Sequence, residues 1–331
     1  AGTAGLASVF TAGSLSWSPR VEAATISKTF YITDGSRIMP DGVSVYFKGY
    51  SESSGSLTVP ATSIICQEGD TLQITVVNLL ATTHNMVIGG LKAGDAALAS
   101  TGDITPGNSK TINYTIPTGK AGSYLFYDNK TSYNSFLGLH GGLAIMPAGK
   151  TDQMYTGSPT FKKQAFWIFN DIDPALNKAV QQGTVIPGSF TPRYFTINGL
   201  TSLPPGATGH GDPTRDALND PRSQLSGYVG DRTLVRILNA GMCSHAMHTH
   251  ANHVEWLTDR GTVRAQVWKK DTLYVRNQFG KVDAIFPFEA PPDAYPPVSK
   301  GHFPMHLHDE MSQTAGGGMY QFGAMTEIVF K

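Results

Sequence analysis

The sequence Asp70-Thr-Leu-Gln-Ile-Thr-Val-Val-Asn78 has a counterpart later in the chain, Asp231-Arg-Thr-Leu-Val-Arg-Ile-Leu-Asn239. In both stretches an acidic residue precedes an apolar, β-branched run that ends in asparagine, which is the pattern of a strand entered from a turn. A histidine follows six residues after each asparagine, at His84 and His245. This weak repeat predicts two copies of one β-sheet unit.

Other short runs of β-branched and aromatic residues recur along the chain, and many of the 36 glycines and 20 prolines lie in the turns between them. The runs cover residues 29–33, 43–47, 111–116, 122–127, 143–146, 165–169 and 194–198. Their spacing predicts an all-β fold of two Greek-key β-sandwiches. A polar stretch at 150–158 predicts a linker, with one domain over residues 26–150 and the other over residues 158–331.

The composition excludes several classes of protein. Lys plus Arg and Asp plus Glu balance at 25 each, so no basic surface points to nucleic acid or to anionic membrane lipids. Beyond the N-terminal segment, no apolar run reaches the ~20 residues that span a bilayer. With 15% charged and 40% hydrophobic residues, the sequence is that of a globular protein.

The N-terminal segment predicts export. Residues 1–25 are rich in small and apolar residues, and Glu22-Ala23-Ala24 resembles a signal-peptide cleavage site. We interpret the segment as the remainder of a secretory signal, which predicts a periplasmic or secreted protein; a flexible arm is the alternative. In an exported protein Cys66 and Cys243 can form a disulfide. A metal-ligand role is the other alternative for Cys243, which stands two residues before His245.

The histidines are distributed unevenly. Seven of the ten fall within residues 245–253 and 302–308, and each window contains a His-x-His motif, at His248 and His250 and at His306 and His308. Residues two apart on a strand point to the same side, so each motif offers two imidazoles to one place. Four such nitrogens make a good copper or zinc site. The sequence therefore predicts a metal centre in the second half of the chain.

These windows resemble motifs of the multicopper oxidases. Residues 241–257 resemble the family's H-P-x-H-L-H-G-H segment, and residues 301–308 resemble its final G-x-W-P-F-H-C-H motif. Residues 122–127 and 137–147 resemble the family's first domain more loosely. The resemblance implies two cupredoxin-like domains and copper as the cofactor.

The sequence departs from the family where blue copper is bound. The family's cysteine ligand corresponds to Leu307, and its second histidine corresponds to Ser312, so only His245 of that trio remains. A blue centre requires a thiolate ligand, which leucine does not supply. The resemblance therefore implies a copper protein without blue copper.

The family's three-copper cluster is also incomplete. Its last-domain ligands match His248, His250, His306 and His308, but only His84 matches from the first domain. With five of eight ligands present, the resemblance implies a reduced site of one or two coppers. It also implies a homotrimer, in which His84 comes from another chain.

Several residues near the motifs keep two interpretations. His253 and His302 are ligands of an altered site, hydrogen-bond partners of ligands, or exposed side chains. Asp309 and Glu310 either orient a ligand imidazole or cap a turn. The nearby methionines are soft ligands or, as we expect, core residues; they are Met242, Met247, Met305, Met311, Met319 and Met325. We expect a structural role for His140 and an exposed position for His210.

Three functions fit these residues. The first is a copper oxidoreductase that takes electrons from a small-molecule or metal-ion reductant and passes them to dioxygen. Tyr127 replaces a family cluster histidine, and it is a candidate redox-active or hydrogen-bonding neighbour. The second is a non-catalytic copper-binding protein for buffering, delivery or resistance. The third is a zinc-dependent hydrolase that uses the same histidines.

Overall fold

The computed structural model describes residues 22–202, 217, 218, 220–291, 300–309 and 323–331. The first half contributes β1 (Thr25–Ile38), β2 (Ser44–Ser51), β3 (Ala61–Gln67), β4 (Thr71–Asn78), β5 (Val87–Ile88), β6 (Ala99–Ser100), β7 (Ser109–Thr115), β8 (Gly122–Tyr127) and β9 (His140–Met146). The predicted signal remnant lies outside the described residues up to position 21, and its last residue, Thr25, begins β1.

The second half contributes the remaining strands and one helix. They are β10 (Lys163–Ile172), α1 (Pro174–Gln182), β11 (Tyr194–Ile197), β12 (Leu225–Gly227), β13 (Thr233–Asn239), β14 (His245–Thr249), β15 (Val254–Asp259), β16 (Thr262–Lys270), β17 (Thr272–Val275), β18 (Gly280–Phe286), β19 (Gly301–Leu307) and β20 (Met325–Phe330). The all-β prediction is confirmed for the part of the chain that the structure describes.

The strands form two pairs of sheets. In the first half, the sheet β2-β1-β4-β7 packs against β3-β9-β8-β5-β6 around an apolar core that includes Phe30, Ile74 and Phe126. In the second half, β11-β10-β13-β18-β15-β16 packs against β12-β20-β19-β14-β17 around Trp167 and Ile237. Alternation of buried and outward side chains along β4 and β14 places one face of each on its core.

The repeated asparagines shape equivalent loops in the two halves. β4 runs parallel to β1, and β13 runs parallel to β10. At the end of β4 the Asn78 side-chain amide donates to the Thr82 carbonyl at 2.7 Å, and at the end of β13 Asn239 donates to the Cys243 carbonyl at the same distance. The shared motif therefore fixes the loop that leads to each following histidine.

Helix α1 has clear end signals. The Asp173 side chain accepts hydrogen bonds from the backbone N–H groups of Ala175 and Leu176, Pro174 opens the helix, and Gly183 ends it with a φ of 64°. None of the described residues forms a helix long and apolar enough to cross a membrane.

Buried polar residues join the two halves. The Arg236 guanidinium, on β13, donates to Ser123 Oγ on β8 at 2.8 Å and to Gln164 Oε1 at 2.9 Å. Ser123 Oγ in turn donates to the Asp283 carboxylate. Lys281 reaches the Gly90 carbonyl at 2.6 Å. Arg236 and Asp283 are completely buried, so each charge depends on the other for stabilisation.

We expect Arg236→Met to lower the free energy of unfolding by about 3–5 kcal/mol, because it leaves the Asp283 carboxylate buried without this cation. Chemical denaturation of the metal-free protein measures the change. Arg232→Met is the matched control: Arg232 pairs with Glu255 in a partly exposed bridge, so its loss should cost less than about 1 kcal/mol. Equal effects of the two substitutions would contradict the stabilising role of the buried network.

Candidate metal centre

Strands β14 and β19 bring the two His-x-His motifs together. They pair antiparallel, and His248 lies directly opposite His306. In β14 His245, Met247 and Thr249 are buried, whereas Ala246 and His248 point to the outer face. Side chains that face each other across an antiparallel pair have Cβ atoms about 5 Å apart. The register alone therefore places one imidazole of each motif in contact.

Four imidazoles meet on this outer face. One ring nitrogen from each of His248, His250 and His306 lies within 4.8 Å of the others, and the Nε2 atoms of His250 and His306 are 3.3 Å apart. The His308 ring centroid lies 5.4 Å from that of His248 and 5.3 Å from that of His306. We call His248, His250, His306 and His308 the histidine cluster. The structure thus gathers the four residues that the motifs single out.

Two residues that sequence reasoning missed orient His248. Nδ1 of His248 lies 3.2 Å from the Asp271 carbonyl and 3.0 Å from Thr272 Oγ1. A proton on Nδ1 that is donated to the carbonyl leaves the Nε2 lone pair available to a metal. Neither residue lies in a histidine window, and only the pairing of β17 with β14 brings them to His248.

The surroundings of His250 and His306 favour their neutral form. Burial first, and then the neighbouring imidazoles of His250, His248 and His308, lower the pKa of His306 to about 4. Burial, followed by the effects of His248 and His308, also lowers the pKa of His250. Neutral imidazole is the form that binds a metal, so these shifts favour binding at neutral pH. A set of neutral nitrogen donors with such spacing suits copper or zinc.

His245 lies outside the cluster, held between two carboxylates. Its Nε2 is 2.9 Å from Asp171 Oδ1, and its Nδ1 is 3.2 Å from both carboxylate oxygens of Asp309. Burial disfavours the charged imidazole, but hydrogen bonds and negative charge from Asp171 and then Asp309 raise its pKa to about 9. His245 is therefore an imidazolium without a lone pair for a metal, which argues against the ligand role considered for it.

The loop around Asp171 explains part of this arrangement. The Cys243 backbone N–H donates to Asp171 Oδ2 at 2.6 Å, and a Cβ added at Gly241 would lie 2.5 Å from the same oxygen. Glycine is thus required for the loop to approach the carboxylate. Burial, with the charge of Asp171, raises the pKa of the Cys243 thiol to about 12, so the thiol remains protonated. No disulfide joins Cys243 to Cys66, which excludes that alternative.

Other predictions made for this region have different outcomes. Asp309 was expected to orient a ligand imidazole or cap a turn, but it binds His245. Leu307 is 1% exposed and packs in the core with Met247 and Met305, which supports the core interpretation of these methionines; Met325 is also buried, and Met242 is exposed. Four residues lie outside the described residues: Glu310, Met311, Ser312 and Met319.

His84 is enclosed in the first half of the chain. Its Nδ1 lies 2.6 Å from Asp128 Oδ2, and its Nε2 lies 2.9 Å from Thr82 Oγ1 and 3.4 Å from Lys48 Nζ. The residue is 1% exposed. Both ring nitrogens of His84 thus have polar partners, and the ring is closed to solvent. Its predicted ligand role has no support in this geometry.

The remaining candidates lie apart from the cluster. His302 is exposed and binds Glu327 at 2.6 Å, and His253 is exposed. His140 is buried with Nδ1 2.6 Å from the Ser135 carbonyl, as expected of a structural residue. The Tyr127 ring stacks on Phe279 with centroids 3.8 Å apart, so its described ring contact is with a phenylalanine. His210 lies outside the described residues.

Comparison with known proteins supports the resemblance. A family model described as multicopper oxidase matches residues 55–150. The multicopper oxidase mgLAC has a similar structure, with a TM-score of 0.67 and 19% identity over 92% of this chain and 86% of the other. A blue copper oxidase from Nitrosomonas europaea also has a TM-score of 0.67 and 19% identity, with coverage of 92% and 85%. None of the curated proteins compared with this chain matches it.

A copper nitrite reductase from Nitrosomonas europaea shares the fold as well, with a TM-score of 0.62 and 16% identity over 93% of this chain and 94% of the other. These matches confirm the two-domain cupredoxin-like fold. Together with the family model they confirm the resemblance to multicopper oxidases and support copper as the cofactor.

The charged state of His245 predicts a pH-dependent stability. Because its folded pKa of about 9 exceeds the ordinary 6.5, its stabilising contribution is complete below pH 6.5 and is lost as pH rises through 9. We expect the unfolding free energy of metal-free wild type to lose about 3 kcal/mol over this range relative to His245→Gln. Denaturation curves at several pH values measure this, with the exposed His253→Gln as control. Parallel pH profiles for wild type and His245→Gln would contradict a charged His245.

Proposed function

We propose that this protein is an exported copper oxidoreductase whose metal site is built only from histidines. The histidine cluster would hold one or two coppers, and reduction of dioxygen would draw electrons from a small-molecule or metal-ion reductant. The observation that carries the proposal is the convergence of His248, His250 and His306 within 4.8 Å on a fold like that of multicopper oxidases.

The surroundings of the cluster support a site without blue copper. Leu307 occupies the position of the family's thiolate ligand, and its side chain lies in the apolar core. His245 uses both ring nitrogens on carboxylates and carries a positive charge. A metal ion next to His245 would face a positively charged imidazolium that offers no lone pair. Electrons then have no copper relay and must enter directly at the histidine cluster.

Histidine-bound copper supplies one-electron redox chemistry at an open coordination position. The residues of this chain supply the ligands and fix their orientation. His248, His250, His306 and His308 offer ring nitrogens as ligands, and the Asp271 carbonyl and Thr272 hydroxyl fix the orientation of His248. His308 is exposed, and His248 and His250 are half-buried, so a reductant can approach the site from solvent.

Export and assembly into a homotrimer are also part of the proposal. Export is inferred from the composition of residues 1–25, and the homotrimer is implied by the family resemblance. Cell fractionation tests export, and light scattering tests the assembly. A soluble cytoplasmic monomer would leave the copper site of the proposal intact but remove both of these parts.

The copper site is tested by metal analysis and by optical and paramagnetic resonance spectra of the oxidised protein. We expect one or two coppers per chain, a nitrogen-ligated Cu(II) signal and no intense blue absorption. His248→Asn and His306→Asn should each weaken copper binding by about tenfold or more. His302→Asn, which alters an exposed histidine outside the cluster, should leave the affinity unchanged.

The outcomes separate the three candidate functions. Copper binding with oxygen consumption in the presence of reductants supports the oxidoreductase. Copper binding without turnover supports the non-catalytic alternative, and zinc in protein purified without added metal, together with hydrolytic activity, supports the third. Equal losses of affinity in His302→Asn and His248→Asn would contradict the assignment of the site.

Tyr127 has a separate test. Its ring stacks on Phe279, and phenylalanine preserves this stacking while it removes the phenol. We therefore expect Tyr127→Phe to keep wild-type turnover and copper affinity. A loss of turnover at unchanged copper affinity would instead support the redox-active role considered from the sequence.

A further inference from the structure

The outermost strand of the larger sheet in the second half has a free edge. β16 is last in the order β11-β10-β13-β18-β15-β16, and in the part of the chain that the structure describes it pairs only with β15. Eight of its nine residues are exposed, and Arg264 alone is partly buried. The main-chain N–H and C=O groups that point away from β15 therefore form an open row with which another strand can pair.

A hollow of about 420 Å³ follows this edge. The residues of β16 that line it are Thr262, Val263, Arg264, Ala265, Gln266 and Trp268. Successive residues of a strand point to opposite faces, so both faces of β16 contribute to the lining. The hollow therefore lies along the edge of the sheet, where an added strand would run, and not on one face.

Residues 262–268, which we call the edge segment, lack the usual protection against pairing. Exposed edges of natural sheets commonly carry lysines, prolines or inward-pointing charges. The edge segment, Thr-Val-Arg-Ala-Gln-Val-Trp, has β-branched and aromatic residues, no proline and a single charge. Val263, Val267 and Trp268 are 48%, 40% and 50% exposed. The sequence of this edge therefore favours the addition of a strand.

One face of the edge segment is complementary to itself. In an antiparallel pair of two copies with the two-fold axis at Ala265, Val263 of each copy lies opposite Val267 of the other. Residues two apart share a face, so these positions form one apolar patch across both copies. Lys269 lies beyond the paired segment. An axis at Gln266 would instead place Val263 opposite Lys269 and lose the apolar contact.

The opposite face brings a hydrogen-bond acceptor to Arg264. Its guanidinium carbon lies 3.6 Å from the ring centroid of Trp256 and 4.9 Å from that of Trp268, so two indoles hold the side chain in place. Its Nε is buried, and no described residue accepts a hydrogen bond from it. With the axis at Ala265, Gln266 of the second copy lies opposite Arg264 and carries an amide oxygen. The pairing thus offers an acceptor to a donor that a single copy leaves unpaired.

We propose that β16 is a docking surface for a second copy of this chain, which adds its own β16 antiparallel about Ala265. The pairing joins the two six-stranded sheets into one continuous sheet. It is independent of the copper chemistry, and it doubles the number of chains in the assembly whether the unit is a monomer or a trimer. A single strand pair buries less than the roughly 800 Å² per partner of a standard interface, so the association is expected at micromolar concentrations.

Sedimentation of the full chain over a range of micromolar concentrations tests the docking. At the highest concentration we expect wild type to have twice the mass of Val267→Lys or Val263→Glu, because each substitution places a lone charge in the apolar patch. Val229→Lys alters a valine of similar exposure, 46%, outside the edge segment, and should associate like wild type.

A chain with both Val263→Glu and Val267→Lys should associate again, because each new carboxylate then faces a new ammonium group of the second copy. Within one chain the two positions are about 13 Å apart along the strand, so the new charges do not pair with each other. Failure of this combined variant to associate would overturn the pairing about Ala265.

Disulfide cross-linking measures the register directly. In a Cys243→Ser background, Ala265→Cys should give a disulfide-linked pair, because directly opposite Cα atoms lie about 5 Å apart. Thr262→Cys should give none, because its two copies are about 20 Å apart along the strands. Equal cross-linking of the two variants, or none in Ala265→Cys, would overturn the register. A wild-type mass equal to that of Val267→Lys at every concentration, or association that Val267→Lys leaves unchanged, would overturn the docking surface itself.

Discussion

The metal site depends on the register of one antiparallel strand pair. With His248 opposite His306, both His-x-His motifs point to the outer face, and their buried neighbours Met247 and Leu307 face the core. A slip by a single residue would turn the imidazoles inward and the apolar side chains outward. The same core packing that holds the sandwich together therefore holds the histidines in place.

The arrangement of the strands also determines which histidines are neutral and which is charged. A metal centre needs neutral nitrogen donors, and burial, followed by the crowding of neighbouring imidazoles, keeps the pKa values of His250 and His306 low. A few residues away, His245 faces two carboxylates and holds a proton. Two histidine environments of opposite character thus lie on β14, one at His248 and the other at His245. The cluster at His248 can bind a metal cation from solvent, whereas at His245 the positive charge is that of the imidazolium itself.

Much of this could be predicted from the sequence, for reasons that are local. Alternation along strands predicted the sheets, the Asp-to-Asn repeat predicted that β4 and β13 are equivalent strands, and the two His-x-His motifs predicted which imidazoles meet. Each of these features is carried by residues close together in the chain. The sequence also shows directly that Leu307 stands where the family has its cysteine ligand. The burial of Leu307 follows from its apolar side chain.

What the sequence could not show depends on long-range pairing. Asp171 and His245 are 74 residues apart, and no motif spacing indicated that one would charge the other. His84 matched a family ligand, but Asp128, Thr82 and Lys48 enclose it, and these contacts come from three separate segments. Asp271 and Thr272 could be assigned to His248 only once the partner of β17 was known.

X-ray absorption at the copper edge is the most direct measurement of the central claim, that copper is held by imidazoles alone. In the copper-loaded protein the first shell should contain only nitrogen and oxygen scatterers, with the outer-shell pattern of imidazole rings. A copper–sulfur distance in that shell would contradict the histidine-only site, because it would require Cys243, Cys66 or a methionine to be a ligand.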